Sequence, residues 1–303
     1  MPRRRPPQLP ARLVRTAVRT LVRPVLGPRV PVGAQRRWLD IVSATNPPAA
    51  GVDVRTGRLG GRPAEVLVPA ATPTTGEVLY LHGGGFTTGS AATHRGLATR
   101  LAATSGAVVH LLDYRLAPEH PFPAALDDAL AAYRELRERT DRPGRTVLAG
   151  DSAGGWLALT AALRLRDEGS PLPAALALVS PWLDLSGAAR RDDRVDPMLQ
   201  PAWLARCAAD FAHDRDLRSP ELSPLAADLT GLPPLVVQVG GEEILLGEAV
   251  RLAERARAAG VPVDLRRFDG MWHVFQLSAG SVRESTTAVT ALGEALAAHL
   301  SAS

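Results

Sequence analysis

From residue 77 onward, short apolar runs alternate with longer amphipathic stretches. The runs lie at 78–81, 108–112, 146–149, 176–179, 235–239 and 263–268. They are too short for helices and, 263–268 apart, mostly apolar at successive positions, so they read as strands buried on both faces. Between or after them, apolar residues recur at three- and four-residue spacing over 93–105, 123–140, 153–168, 247–259 and 285–299, which predicts helices. This alternation predicts an α/β fold with a mostly parallel central sheet and helices on both faces. Ahead of it, residues 52–58 and 63–69 are bounded by glycine and proline and predict an antiparallel hairpin.

Two segments depart from that rhythm. Residues 185–229 are rich in aspartate, arginine and proline, with one helix-like piece near 201–211, and are expected to form a cap insertion. At the N-terminus, Leu13, Val14, Ala17, Val18, Leu21, Val22, Val25 and Leu26 recur at helical spacing with Arg12, Arg15, Arg19 and Arg23 between them. A second short helix is expected over 35–44, between proline pairs. The expected organisation is thus an N-terminal helical cap segment, residues 1–50, and an α/β domain, residues 51–303, that carries the insertion.

The chain has 303 residues, 46% hydrophobic and 22% charged. That is the balance of a globular protein, and no apolar run approaches the roughly 18 residues needed to span a bilayer. Cys207 is the single cysteine, which excludes an intramolecular disulfide framework and fits a reducing, cytoplasmic compartment. All 35 basic residues are arginine and the net charge is only +4, so no nucleic-acid partner is expected. Much of the positive charge lies in Arg3, Arg4, Arg5, Arg12, Arg15, Arg19 and Arg23. A signal peptide would need an unbroken apolar core, which the arginines interrupt. The segment reads foremost as a lid over a pocket; a basic amphipathic helix resting on an anionic membrane surface is the competing, and compatible, reading. Oligomeric state is left open.

The chemistry concentrates in three places. Residues 146–149 run straight into Gly150-Asp151-Ser152-Ala153-Gly154-Gly155 and then into a helix, the setting in which G-x-S-x-G presents a nucleophilic serine, Ser152, on a strained turn. A glycine-rich turn with a serine cap would share the five residues, but not the second motif. His82-Gly83-Gly84-Gly85 follows strand 78–81. Acyl transfer puts negative charge on a carbonyl oxygen, and backbone N–H groups must already point at it. The expected donors are the N–H groups of Gly84, Gly85 and Ala153, with His82 orienting the loop. The alternative, a phosphate cradle, lacks a following Gly-Lys-Ser/Thr.

Together with Asp113-Tyr114-Arg115-Leu116-Ala117-Pro118-Glu119-His120-Pro121-Phe122-Pro123-Ala124, these motifs resemble the bacterial hormone-sensitive-lipase-like esterases. The resemblance implies an α/β-hydrolase fold with a helical cap, and hydrolysis of short to medium acyl esters without a cofactor. The 114–124 stretch is expected to be a structural turn under the glycine loop. A serine hydroxyl needs a base oriented by a carboxylate, in the chain order serine, acid, histidine. Of His213, His273 and His299, His273 follows the last strand in Gly270-Met271-Trp272-His273 and matches that family's Gly-Met-x-His segment. The family often carries an aspartate after the preceding strand. Counting against that segment puts Glu243 in its place, with Glu242 as runner-up and Asp184 weaker.

No metal site or dinucleotide fingerprint is read from the sequence. An amidase, thioesterase, deacetylase or acyltransferase would use the same groups, and a binding protein that has lost catalysis would be expected to lose the base. Trp38, Leu39, Trp182, Trp203, Phe211 and Trp272 are candidates for lining the substrate pocket, or equally for ordinary packing.

Overall fold

The computed structural model describes residues 8–70, 76–139, 145–188 and 196–301. Arg3, Arg4 and Arg5, and residues 189–195 of the expected insertion, lie outside the described residues.

Eight strands form one sheet: β1 (Val52–Leu59), β2 (Arg62–Pro69), β3 (Glu77–Leu81), β4 (Val108–Leu112), β5 (Thr146–Asp151), β6 (Ala175–Val179), β7 (Leu235–Gly240) and β8 (Val263–Phe268). Their order is β1-β2-β4-β3-β5-β6-β7-β8. The hairpin β1–β2 is antiparallel, β2 is antiparallel to β4, and every later pair is parallel.

The apolar runs are continuous because alternate residues serve different faces. Leu79, Leu81, Leu148, Leu176, Leu178, Val237 and Val239 pack beneath α4 (Ala124–Arg139), α5 (Ala153–Asp167) and α7 (Leu246–Ala258). Val78, Tyr80, Val147, Ala149, Ala175, Ala177 and Val236 pack against α3 (Ala91–Ser105) and α8 (Arg283–Ser301). The expectation of burial on both faces fails at β8. As the edge strand it alternates between half-buried and exposed residues, with arginines and Asp264 facing solvent in place of a further strand.

The N-terminal stretch is less regular than its periodicity predicts. Helix α1 spans Ala11–Ala17, then widens into one π turn, Val18–Val22, and ends before Pro24. A proline cannot donate to the ladder. Helix α2 (Val32–Ser43) starts directly after Pro31, a turn earlier than the periodicity predicts.

Of the expected insertion, α6 (Pro201–Ala212) is tied to the N-terminal stretch. Gln200 Nε2 donates to the carbonyls of Arg23 and Leu26, and Trp203 Nε1 donates to Gln35 Oε1 at 2.9 Å. Residues 213–229 do something else. They return under the sheet, where Leu222, Leu225 and Leu229 are buried and the Leu222 carbonyl accepts from Trp156 Nε1. Asp184 holds the entry to this stretch, accepting from the amide and hydroxyl of Ser186. No helix among the described residues is long and apolar enough to cross a membrane.

Candidate active site

Strand β5 passes Ser152 directly into the first turn of α5. The turn forces Ser152 to φ 51° and ψ −116°, a conformation that costs a non-glycine residue on the order of 1–3 kcal/mol. The hydroxyl makes no N-cap bond to the helix, although serine is a favoured cap. The side chain therefore contributes no cap bond to offset the strain, and is left at the positive end of α5. Glycine is required on both sides. A Cβ on Gly154 would run into the Leu81 carbonyl, and one on Gly150 into the Gly154 carbonyl. Gly154→Ala is expected to destabilise the protein by about 3 kcal/mol or more. Urea unfolding reads this directly, and a midpoint equal to the parent's would show that the turn has room for a methyl group.

Strand β3, hydrogen-bonded beside β5, ends at Leu81 and leads into the glycine loop. Gly84 and Gly85 have φ of 118° and 61°, values open to glycine and strained for other residues. Among the described residues, the N–H groups of Gly84, Gly85 and Ala153 donate to no protein acceptor. For Ala153 this follows from its place in the first helical turn.

A buried polar layer holds the loop from below. Asp151 Oδ1 accepts from Tyr80 Oη at 2.9 Å and from Gly83 N at 3.1 Å, while Oδ2 lies 3.3 Å from His94 Nε2. Burial opposes both charges, but the His94–Asp151 attraction and hydrogen bond overcome it. Asp151 is held below its ordinary value and His94 above. His82 behaves oppositely: burial first, then the neighbouring His94 charge, push it down to about 3. It is neutral, stacks on Tyr114 with ring centroids 4.2 Å apart, and its carbonyl accepts from Tyr114 Oη at 2.6 Å. The 114–124 stretch thus supports the loop, as its sequence suggests.

His273 lies in the turn after β8, buried beside the loop that leaves β7. Its Nδ1 is 2.7 Å from Glu243 Oε2. An ionised carboxylate only accepts, so Nδ1 carries the shared proton and the Nε2 lone pair is left available. Glu243 Oε1 accepts from Ser180 Oγ at 2.8 Å and from the Gly240 amide. A side chain at Gly240 would crowd the carbonyls of Met271 and Trp272; glycine there lets the two loops meet. Burial alone would depress His273, but the Glu243 hydrogen bond and charge, with smaller help from Asp196 and Asp151, raise it above 6.5. Glu242, the neighbour, points away and pairs with Arg15 at 2.6 Å. His213 is exposed beside Asp214.

Three contributors have no signal in the sequence: His94, Ser180 and Asp196. Asp196 is buried, accepts from the amides of Met198, Leu199 and Ile244, and so ties the 196–200 turn to the residue after Glu243. Burial raises its pKa. His94 comes from the first turn of α3, Ser180 and Asp196 from loops distant in sequence, and no fixed spacing marks them.

Ser152, His273, Gly84, His94 and Asp151 open on one cavity of about 470 Å³. Trp38, Leu39, Trp203 and Trp272 line it as anticipated. Trp182 and Phe211 do not. They are fully buried around Phe86, with the Phe86 and Phe211 rings stacked at 3.8 Å; their rings fill the core below the site. Much of the remaining wall is aliphatic and comes from the N-terminal stretch, including Val14, Val18, Leu21 and Val22.

This geometry agrees with what the chain is similar to. A family model described as alpha/beta hydrolase fold matches residues 78–277. The chain is 36% identical over 274 residues to the putative acetyl-hydrolase LipR of Mycobacterium tuberculosis, covering 90% of this chain and 89% of the other. It is 45% identical over 231 residues to an acetyl-hydrolase of Streptomyces hygroscopicus, covering 72% and 77%. A crystal structure of an esterase from the bacterial hormone-sensitive lipase family has a TM-score of 0.90 at 38% identity, covering 96% of this chain and 98% of that one. With its parallel sheet, its strand–serine–helix turn and these relatives, the chain belongs to the α/β-hydrolase family, in the bacterial hormone-sensitive-lipase group of serine esterases.

Proposed function

We propose that this protein is a carboxylic-ester hydrolase that works through an acyl-enzyme on Ser152, with His273 as base and Glu243 as its orienting acid. One observation carries the reading. A strained serine whose hydroxyl makes no cap bond, and a histidine paired to the buried Glu243, open on the same apolar cavity, beside three amide donors without protein acceptors among the described residues.

In this mechanism Ser152 Oγ bonds to the ester carbonyl carbon as His273 Nε2 takes its proton. The carbonyl oxygen becomes an oxyanion and accepts from Gly84, Gly85 and Ala153, donors that need no reorganisation to meet it. Glu243 holds the imidazolium. His273 then gives the proton to the leaving oxygen as the C–O bond breaks, releasing the alcohol. Water repeats the sequence on the acyl-serine, delivering its proton through His273 and freeing the acid.

The mostly apolar wall favours an uncharged acyl chain of short to medium length. The names of the two acetyl-hydrolase relatives support the short end of that range. The test is a panel of p-nitrophenyl acetate, butyrate, octanoate and laurate, followed by matching amides and thioesters. Acetate to octanoate esters are expected to be turned over fastest, and fluorophosphonate labelling is expected to vanish in Ser152→Ala. No turnover of any ester, or labelling that survives in Ser152→Ala, would sink the proposal.

A further inference from the structure

The large hydrophobic side chains most exposed among the described residues are Leu9, Leu13, Leu21 and Ile41, each at least half exposed. All four belong to the first 41 residues. Helix α1 buries no residue at all. Leu9, Leu21 and Ile41 also line the cavity that holds Ser152, so this apolar surface is the rim of its mouth.

Charge is segregated onto the same segment. Residues 1–50 carry ten arginines against a single acid, Asp40, whereas residues 51–303 carry 25 basic and 30 acidic side chains. Arg15 and Arg36 are engaged by Glu242 and Glu119. Arg12, Arg19, Arg29 and Arg37 are exposed and form no ion pair among the described residues. Arg12 lies in α1 beside Leu13, and Arg19 lies seven residues on, in the π turn that carries Leu21.

Exposed aliphatic side chains and exposed arginines on one segment, the latter without an ion pair among the described residues, match one kind of partner: a surface with an apolar interior and an anionic face. A second copy of this chain would bring like charges together across a two-fold axis. A nucleic acid would satisfy the arginines and leave the leucines in water. We propose that the N-terminal face docks on anionic lipid, with Leu9, Leu13, Leu21 and Ile41 entering the headgroup–acyl boundary and Arg12 and Arg19 meeting lipid anions. The cavity mouth then opens toward the lipid, from which an acyl chain can enter between α1 and α2 without crossing water. The docking itself does not depend on Ser152 being a nucleophile.

Co-sedimentation of the full chain with phosphatidylcholine vesicles, with and without phosphatidylserine, tests this. Partitioning is expected to be about tenfold or more stronger on the anionic vesicles and to fall steeply with added salt. Arg12→Glu/Arg19→Glu is expected to lose at least about tenfold, and Leu13→Ser several-fold. Neither variant touches the cavity, so turnover of p-nitrophenyl acetate in solution stays at the parent level, which also reports that both are folded. Ser152→Ala binds vesicles as the parent does, which separates this proposal from the catalytic one. Equal binding to neutral vesicles, binding that survives the charge reversal, a dimer that buries the face, or duplex DNA retained as tightly as vesicles would each overturn it.

Discussion

A His273→Gln enzyme is expected to hydrolyse esters about 10⁴- to 10⁶-fold more slowly than the parent, measured as kcat on p-nitrophenyl butyrate. The loss falls on chemistry, because glutamine cannot take the Ser152 proton, while its uncharged polar amide still occupies the space beside Glu243. Alanine is the less informative replacement. It leaves the Glu243 carboxylate buried without its partner, a change that costs about 3–5 kcal/mol and mixes instability with lost catalysis. Activity of His273→Gln within tenfold of the parent would remove His273 from the mechanism.

The pH dependence of the parent comes from the same pair, with two opposite signs. Burial opposes the imidazolium, but the Glu243 bond and charge win and set the folded pKa above 6.5. As a base His273 must be neutral, so kcat/KM is expected to rise as pH climbs through that folded value. Stability runs the other way. A pKa raised on folding gives stabilisation that is fully present below the unfolded value, about 6.5, and is lost as pH rises through the folded one. Urea midpoints and kcat/KM measured over the same pH series are expected to move oppositely in that window.

Exchanging the two neighbouring glutamates, one at a time, is expected to have very unequal effects. Glu243→Gln should lower kcat by about 10⁴-fold. The Gly240 amide and the Ser180 hydroxyl both donate to Oε1, so the amide oxygen of a glutamine is held there and its NH₂ faces His273. That NH₂ donates to Nδ1 and moves the imidazole proton to Nε2, the nitrogen that must accept from Ser152. Glu242→Gln should leave kcat within about twofold and cost less than about 1 kcal/mol, because its bridge to Arg15 is about one-third exposed and screened by water. Comparable losses in the two variants would rule out a special role for Glu243.

The features legible in the sequence are those set by local physics. Strands β3 to β7 are continuous apolar runs because both sheet faces are covered, and their lengths separate them from the amphipathic helices. Their order along the chain is enough to identify an α/β fold. The Ser152 turn is equally legible, since glycine at 150 and 154 answers to a contact inside one short strand–turn–helix unit. Strand β8 resembles the others only in length. Its residues, Val263-Asp264-Leu265-Arg266-Arg267-Phe268, carry three charges, and those charges mark a solvent-facing edge that length alone conceals. The break in the N-terminal helix and the early start of α2 are set by prolines at 24 and 31, punctuation that periodicity alone does not weigh.

The N-terminal residues show the same division. Alternation of apolar side chains and arginines specifies an amphipathic segment, while its docking over Ser152 depends on Gln35, Gln200 and Trp203 meeting across more than 160 residues of chain. Aromatic residues divide likewise: Trp203 and Trp272 reach the cavity, whereas Trp182 and Phe211 pack around Phe86. Composition makes no distinction among them, because a large apolar side chain is equally stabilised in a core or in a pocket wall.

By itself, then, the sequence determined the alternating strands and helices, the place of Ser152 at a strand end, and the glycine loop beside it, all consequences of residues close together in the chain. Only the tertiary structure decided that Glu243 and not Glu242 reaches His273, that Asp196, Ser180 and His94 stand behind the site, and that the exposed leucines rim its mouth. Adjacent residues in a loop point in different directions. Which one meets a distant imidazole is set by the packing of two loops around Gly240, a contact that no local pattern encodes.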